Sequence, residues 1–475
     1  MTLPRDLYET PKRMETDSPL PKSFVQSLED VLEPNEIPSF LASLQEEPVT
    51  SVRLNPFKPL AGFEETLPVP WCPEASLLRS RPSFTLDPLF HAGAYYVQEA
   101  SSTFLSHVLS ALSVPKDAVF LDLCAAPGGK STLLASYLGK QGILVANEVI
   151  SSRAQVLKEN IVKWGIGNTV VTQNDASHFE PLKGLFDLVL VDAPCSGEGM
   201  FRKDPNAIAE WSPDHVTHCA VRQRRILDEV GALPKAGGYL VYATCTYNSR
   251  ENEENIRFLA EEFSFEPVQI PVPAEWGIVE SHIKTDAGDF FGYRFFPHMV
   301  AGEGFFISVM KRASTATIAT PKMQKEFRHP HLKRINGKLL ADELAKQVPS
   351  VEESSFYALG GAYFLFPKEF QPTFEFIANH LNLRYMGIAL GEMNHNSWIP
   401  SHEWALSILP KHRVSKVDVS LDQALSFLRK ETFPLEQAPS GWVLVTYLGH
   451  ALGWVKNLGS RINNYYPKEW RIRMD

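Results

Sequence analysis

Cysteine is scarce in this 475-residue chain, and long apolar runs are missing altogether. The five cysteines, at positions 72, 124, 195, 219 and 245, form an odd set without the spacing of metal ligands. That excludes a disulfide framework or a zinc module and points to a reducing, cytoplasmic setting. No segment approaches the roughly eighteen apolar residues of a membrane span, and the polar start Met1–Thr16 lacks the apolar centre of a signal peptide. A soluble protein with neither membrane nor metal partners is expected. Excess positive charge is absent too: 46 Lys and Arg against 55 Asp and Glu leave a net charge of -9. This argues against indiscriminate nucleic-acid binding but leaves room for local basic patches. What the chain has is core material: 44% hydrophobic residues, enough for roughly two to four domains.

Two nucleotide fingerprints are also missing. The turn Leu123-Cys124-Ala125-Ala126-Pro127-Gly128-Gly129-Lys130-Ser131-Thr132 approaches a phosphate-binding loop, but Cys124 stands where that loop needs its first glycine. The Gly-x-Gly-x-x-Gly pattern of dinucleotide sites does not occur there either. Glu148, about twenty residues beyond the glycines, still has the position of a carboxylate that grips a ribose diol. A nucleoside cofactor without a pyrophosphate fits all three observations, and S-adenosylmethionine is one.

The strongest positive signal is the run Leu188-Val-Leu-Val-Asp192-Ala-Pro194-Cys195-Ser-Gly197-Glu-Gly199. Its apolar part reads as a strand buried on both faces, and the proline and glycines force it to stop and turn. Similar runs end at Asp122, Glu148 and Asp175, and a fifth, from Gly238, ends at Cys245. Helical patterns over Lys130–Leu138, Ser151–Trp164 and Asp214–Leu233 alternate with these runs. The alternation predicts an α/β fold with a parallel sheet. Ligands of such sheets bind at the carboxyl ends of the strands, where four carboxylates and two thiols are gathered.

Three segments together closely resemble the Sun/nucleolar-protein family of RNA cytosine-C5 methyltransferases. They are Asp122-Leu-Cys-Ala-Ala-Pro-Gly-Gly-Lys130, Asp192-Ala-Pro-Cys-Ser-Gly-Glu-Gly199 and Ala243-Thr-Cys-Thr-Tyr-Asn-Ser-Arg-Glu-Asn-Glu-Glu-Asn255. The resemblance, which covers residues 91–312, implies a seven-stranded Rossmann-like S-adenosylmethionine-dependent methyltransferase fold. It implies that Cys124, Ala125, Ala126, Pro127, Gly128, Gly129 and Lys130 form the cofactor loop and that Glu148 holds the ribose, supported by Arg153. By the same resemblance Asp175 lies by the adenine and Asp192 near the sulfonium and the target base.

Cytosine C5 is too weak a nucleophile to accept a methyl group directly. A thiolate adding at C6, with protonation at N3, turns C5 into an enamine-like carbon, and a base must later remove the C5 proton. Spacing does not decide which thiol attacks. The resemblance implies that Cys245 is the nucleophile, that Cys195 assists product release and that Asp192 acts at N3, with Lys130 in the pocket. Cys72 and Cys219 lack such context and read as packing residues.

The flanks carry further signals. Between Arg250 and Glu303 eleven acidic residues face four basic ones, whereas from Lys311 to Leu340 eight basic residues face only Glu326. A boundary near residue 312 follows, after which either a phosphate-contacting segment or a solvated linker fits. Arg53, in Ser51-Val-Arg53-Leu-Asn55-Pro56, reads as a surface residue, and Tyr95, Tyr96 and Gln98 suit stacking or core packing equally. The tail from Leu458 to Arg473 mixes bases with aromatics, which suits RNA or the closing strand of a barrel. This end resembles the PUA-like RNA-binding module of bacterial small-subunit ribosomal RNA methyltransferases of the F type. The expected division is an accessory N-terminal domain over 1–95, a catalytic domain over 96–312, a linker and small accessory domain over 313–383, and a PUA-like β-rich domain over 384–475. The expected activity is methylation of small-subunit ribosomal RNA, free or in the 30S subunit, by a monomer. Transfer RNA methylation, an assembly factor without turnover and a phosphate-loop ATPase stand as alternatives.

Overall fold

The computed structural model describes residues 20–316, 321–322, 326–335, 353–395, 397–411, 414–435 and 438–474. The Met1–Thr16 start and the 336–340 end of the basic segment lie outside the described residues. Four sheets organise the described residues. The first, ordered β2-β3-β1-β4, comprises β1 (Thr50–Leu54), β2 (Thr66–Val69), β3 (Cys72–Leu78) and β4 (Tyr95–Val97), so it reaches just past residue 95.

The central sheet is built from β5 (Val119–Asp122), β6 (Ile143–Asn147), β7 (Thr169–Thr172), β8 (Phe186–Asp192) and β9 (Pro234–Thr244), parallel and in the order β9-β8-β5-β6-β7. Phe120, Leu121, Leu144, Val145, Val170, Val189, Leu190 and Val241 are buried, as strands covered by helices on both faces require. After β10 (Phe265–Pro267) come β11 (Val279–Thr285), β12 (Gly288–Phe295) and β13 (Phe305–Arg312), with β13 antiparallel to both β12 and β9. The strands β7, β6, β5, β8, β9, β13 and β12 form the expected seven-stranded core. The sheet nevertheless has ten strands, because β10, β11 and a later strand extend it. Lys311 and Arg312 belong to β13 and not to a linker.

Beyond residue 312 lie β14 (Lys333–Ile335), β15 (Ser354–Leu359), β16 (Ala362–Pro367), β17 (Leu383–Met386), β18 (Ile388–Asn394) and β19 (Ser397–Pro400). β17 is the tenth strand of the central sheet, antiparallel to β7 and covering an edge that would otherwise stay open. The other five make a sheet ordered β14-β15-β16-β18-β19, which continues across position 383/384. The last sheet holds β20 (Ser415–Asp418), β21 (Gly441–Tyr447), β22 (His450–Asn457) and β23 (Ile462–Asn464).

The two ends of the chain share a core. Val52, Leu89 and Tyr95 pack in one cluster with Phe427, Val443, Val455 and Tyr466, so the C-terminal sheet is not a detachable arm. A second tie runs through Arg53, which is 2% exposed and not on the surface as its sequence context suggests. Its Nε donates to Gln98 Oε1 at 2.8 Å, and its Nη2 donates to Thr132 Oγ1 at 2.6 Å and to the Gly129 carbonyl at 3.1 Å. The guanidinium also lies 4.6 Å from the centre of the Trp164 ring. The N-terminal sheet thereby grips the first turn of the helix Gly129–Leu138, which follows the cofactor-type loop. Tyr95, packed in the shared core, and buried Gln98 likewise serve packing and hydrogen bonding and not base stacking.

Two outcomes follow. Arg53→Ala leaves Gln98 Oε1 and the Gly129 carbonyl without this donor, and it should cost at least about 2 kcal/mol in chemical denaturation; an unchanged midpoint would remove the tie. A chain ending at residue 410 should aggregate or melt earlier, because Val52, Leu89 and Tyr95 lose their cover. Gel filtration and thermal unfolding of that truncation check this, and full-length behaviour would contradict it.

Candidate active site

At the carboxyl edge of β5–β9 lies a cleft of about 540 Å3. Its wall takes Leu123, Cys124 and Ala126 from the turn after β5, Asn147, Glu148, Val149 and Ile150 after β6, and Asn174 and Asp175 after β7. Asp192, Pro194 and Cys195 come from the end of β8, and Cys245 from the end of β9. The helix Pro213–Val230 adds Arg222, Arg225 and Ile226. Asn147 ties neighbouring strand ends together: its Nδ2 donates to the Leu123 and Asn174 carbonyls, each at 3.0 Å.

The structure gathers most of the expected residues here but divides the loop 124–130. Ala125, Pro127, Gly128, Gly129 and Lys130 do not line the cleft. Gly128 has a φ of 117°, and a Cβ there would meet Leu157 at 3.3 Å; one on Gly129 would meet Gln98 and Tyr96 at 3.4 Å. Gly128 serves the turn and close packing against Leu157, whereas a side chain on Gly129 would meet only ordinary contacts.

Glu148 is 2% exposed. Its Oε1 accepts from the Ile150 N–H at 3.0 Å, whereas Oε2 has no hydrogen-bond donor among the described residues. Arg153 Nη1 stands 3.4 Å from that oxygen, and its Nη2 donates to the Ala126 carbonyl at 2.9 Å. Arg153 thus supports both the carboxylate and the loop. Asp175 caps the turn at Ser177, and Arg225 reaches it at 3.3 Å. The Ser177 N–H, the Ser177 hydroxyl and Arg225 outweigh burial and hold this carboxyl below its ordinary range.

The catalytic corner is tighter. Cys195 Sγ and Cys245 Sγ lie 3.0 Å apart, and the Cys245 N–H donates to Cys195 Sγ at 3.3 Å. The contact with Cys245, followed by burial, pushes the Cys195 thiol well above its ordinary pKa. Lys130 Nζ donates to Asp192 Oδ2 at 2.8 Å. Burial alone would lower the Lys130 ammonium, but Asp192, then Cys245 and Asp122, raise it above its ordinary value. Burial pushes Asp122 up to about 7, and the Ser131 hydroxyl donates to its Oδ2 at 2.6 Å. Burial, followed by Asp122, also pushes the Cys124 thiol up, so it is a neutral wall residue. Cys72 and Cys219 are buried, each with its pKa raised chiefly by burial.

Two buried carboxylates hold the thiol loops against each other. Glu198 Oε2 accepts from Thr246 Oγ1 at 2.7 Å and from the Tyr247 and Asn248 N–H groups at 2.8 and 3.0 Å. Its Oε1 accepts from Trp211 Nε1 at 3.0 Å. In the other direction, Glu251 Oε2 accepts from the Ser196 N–H at 2.9 Å and from Gln223 Nε2 at 2.7 Å. Each carboxylate belongs to one loop and binds the other. Sequence reading missed Glu198 and Glu251 as functional, although both stand inside the quoted segments. It also missed Arg222, Arg225 and Ile226, whose i, i+3, i+4 spacing marks one face of a helix that it did predict.

Among the described residues no group of three His, Cys, Asp or Glu side chains could hold a metal ion, and no helix is long and apolar enough to cross a membrane.

Comparison with known proteins agrees with this geometry along the chain. Residues 109–311 match the family described as 16S rRNA methyltransferase RsmB/F. Residues 20–100 match the N-terminal domain of 16S rRNA methyltransferase RsmF, and 414–472 the methyltransferase RsmF PUA domain. Ribosomal RNA small subunit methyltransferase F of Vibrio cholerae is 30% identical, over 95% of this chain and 97% of that protein. The protein of the same name from Aeromonas salmonicida is 32% identical over 84% of each. The crystal structure of NSun6 from Pyrococcus horikoshii superposes with a TM-score of 0.51 at 21% identity, covering 62% of this chain and 98% of that one, which is a likeness of fold. The chain belongs to the ribosomal RNA small subunit methyltransferase F family.

Proposed function

We propose that this protein transfers a methyl group from S-adenosylmethionine to C5 of a cytosine in small-subunit ribosomal RNA, acting as a monomer in the cytoplasm. The observation that carries the reading is the thiol pair, 3.0 Å apart, beside the Lys130–Asp192 ion pair at the edge of a cofactor-sized cleft. Residues 96–312 carry the chemistry in this reading, and the segments on either side serve RNA. The names and coverage of the relatives support ribosomal RNA over transfer RNA as substrate.

The cleft residues fit the cofactor. Glu148 Oε2, buried without a hydrogen-bond donor, suits a ribose hydroxyl, and Asp175 and Ile150 flank the space for an adenine. Bound there, S-adenosylmethionine supplies an electrophilic methyl group on a sulfonium. Cys245 adds to C6 of the cytosine, and the bond it forms pushes electron density toward N3 and C5. Asp192, oriented by Lys130, faces N3 as the acid that supplies its proton while the C6 bond forms. Release needs a base to take the C5 proton, so that the C5–H electrons restore the C5–C6 double bond and Cys245 leaves with the C6–S pair; Cys195, a neutral thiol in the resting site 3.0 Å away, is placed to give that leaving sulfur a proton. Tritiated methyl transfer to 30S subunits, followed by bisulfite sequencing, tests the activity and its target; no incorporation would refute it.

Glu148→Ala should weaken S-adenosylmethionine binding about ten- to a hundredfold, the loss expected from one charge-assisted hydrogen bond. Calorimetry showing wild-type affinity in a folded variant would remove Glu148 from the site. The two thiols separate by what accumulates. Cys245→Ala should form no covalent RNA complex, whereas Cys195→Ala should trap one, seen as a slow, ribonuclease-sensitive band on a denaturing gel. The reverse pattern would exchange the two roles.

A further inference from the structure

A second cleft, of about 520 Å3, opens where the N-terminal sheet, the segment 405–411 and the C-terminal sheet meet. Its titratable lining is entirely basic among the described residues: Lys58, Lys411, Lys416 and His450. These groups come from separate parts of the chain. Lys58 follows β1, Lys411 precedes the C-terminal sheet, Lys416 is in β20, and His450 opens β22.

Among the described residues none of the four forms an ion pair with a carboxylate. Lys58 Nζ donates to the Ala92 and Lys163 carbonyls, and Lys411 Nζ to those of Ser407 and Leu409, so among the described residues each protonated amine has acceptors for two of its three N–H bonds. Lys416 is exposed and makes no ion pair among the described residues. Behind the wall stand Lys163, His91 and His402, and burial followed by Lys163 and Lys58 pushes His402 down to about 3. Burial and Lys416 push Lys411 down to about 7, and burial and Lys411 lower Lys58. Three carboxylates stand nearby without lining the cleft. Asp418 accepts from Thr446 and the Gly449 N–H and also acts on His450, Glu159 acts on Lys163, and Glu469 acts on Lys430. The cleft thus gathers basic side chains that burial and one another disfavour as cations, with exposed Lys416 at its mouth, and an anion is what would favour their protonated forms.

We propose that this cleft is a phosphate-binding site that takes a backbone phosphodiester of the RNA substrate at the seam between the two ends of the chain. An anion there relieves the mutual repulsion of the lysines and accepts from their remaining N–H bonds. The seam is a shared core, so the site holds its RNA at a fixed position relative to the catalytic cleft. The proposal rests on the RNA-substrate reading above, but its test needs no methyl transfer.

The full-length protein and its Lys416→Glu variant are compared for binding to a small-subunit ribosomal RNA transcript across a potassium chloride series. Lys284→Glu, an exposed charge reversal on β11, controls for net charge. Lys416→Glu should bind about tenfold more weakly at low salt, with the slope of log affinity against log salt shallower by about 0.7–0.9 per lost phosphate contact. Lys284→Glu should retain the wild-type slope, and S-adenosylmethionine affinity should be equal in all three. Wild-type affinity and slope in Lys416→Glu would overturn the proposal. Inorganic phosphate separates the sources: if it raises the melting temperature of wild type but not of Lys416→Glu while RNA binding is equal, the site takes free phosphate and the RNA assignment is wrong. Failure of the methyltransferase reading would appear separately, as absent methyl transfer by a wild type whose RNA binding still depends on Lys416.

Discussion

The site depends on the reciprocal grip of two buried carboxylates. Glu198 leaves the loop of Cys195 to bind the loop of Cys245, and Glu251 returns the contact through the Ser196 N–H. Burying a carboxylate is costly unless its oxygens are filled, and here backbone N–H groups, a threonine hydroxyl, an indole and two amides fill them. The burial that lifts the Glu251 pKa is offset in part by the Ser196 and Asn248 donors. Two loops that would otherwise move independently are thereby held with their sulfur atoms in contact. A mechanism in which one thiol makes a bond and the other helps break it needs that fixed relation.

A second constraint places the cofactor side. The helix Gly129–Leu138 begins at the loop, and Arg53 fastens its first turn from another sheet. Burial lowers that guanidinium to about 10, still charged at neutral pH, so its hydrogen bonds remain charge-assisted. The loop between presents Cys124 and Ala126 to the cleft, while Gly128 lets the neighbouring helix close in behind. Asp122 and Ser131 complete this underside, with a carboxyl that titrates near neutrality beneath the Lys130–Asp192 pair.

The C-terminal half is built into the molecule at two places. β17 pairs with β7 at the edge of the catalytic sheet, and the last sheet shares its core with the first. The chain returns on itself, so segments nearly 400 residues apart in sequence line one cationic cleft. RNA held there and a base held at the thiols would be held by one rigid framework.

The sequence by itself determined the parallel strands, their order of appearance and the residues at their ends. Apolar runs ending in Asp122, Glu148, Asp192 and Cys245 carry that information locally, and strand period and turn chemistry need no knowledge of distant partners. The motif segments likewise named the two thiols, Asp192 and Lys130, and the position of Glu148 beyond the glycines marked it as a ribose-binding candidate. Only the tertiary structure decided which residues of those segments face the cleft. Gly128 serves packing, Glu198 and Glu251 serve each other's loops, and Arg53 lies buried against a helix 76 residues away in sequence. The same holds for β17, which reads locally as one more short strand after a linker and joins the catalytic sheet only because an open edge at β7 is within its reach. Long-range hydrogen bonds and shared burial set these roles, and a side chain's type does not show which distant group will neutralise it or leave it charged.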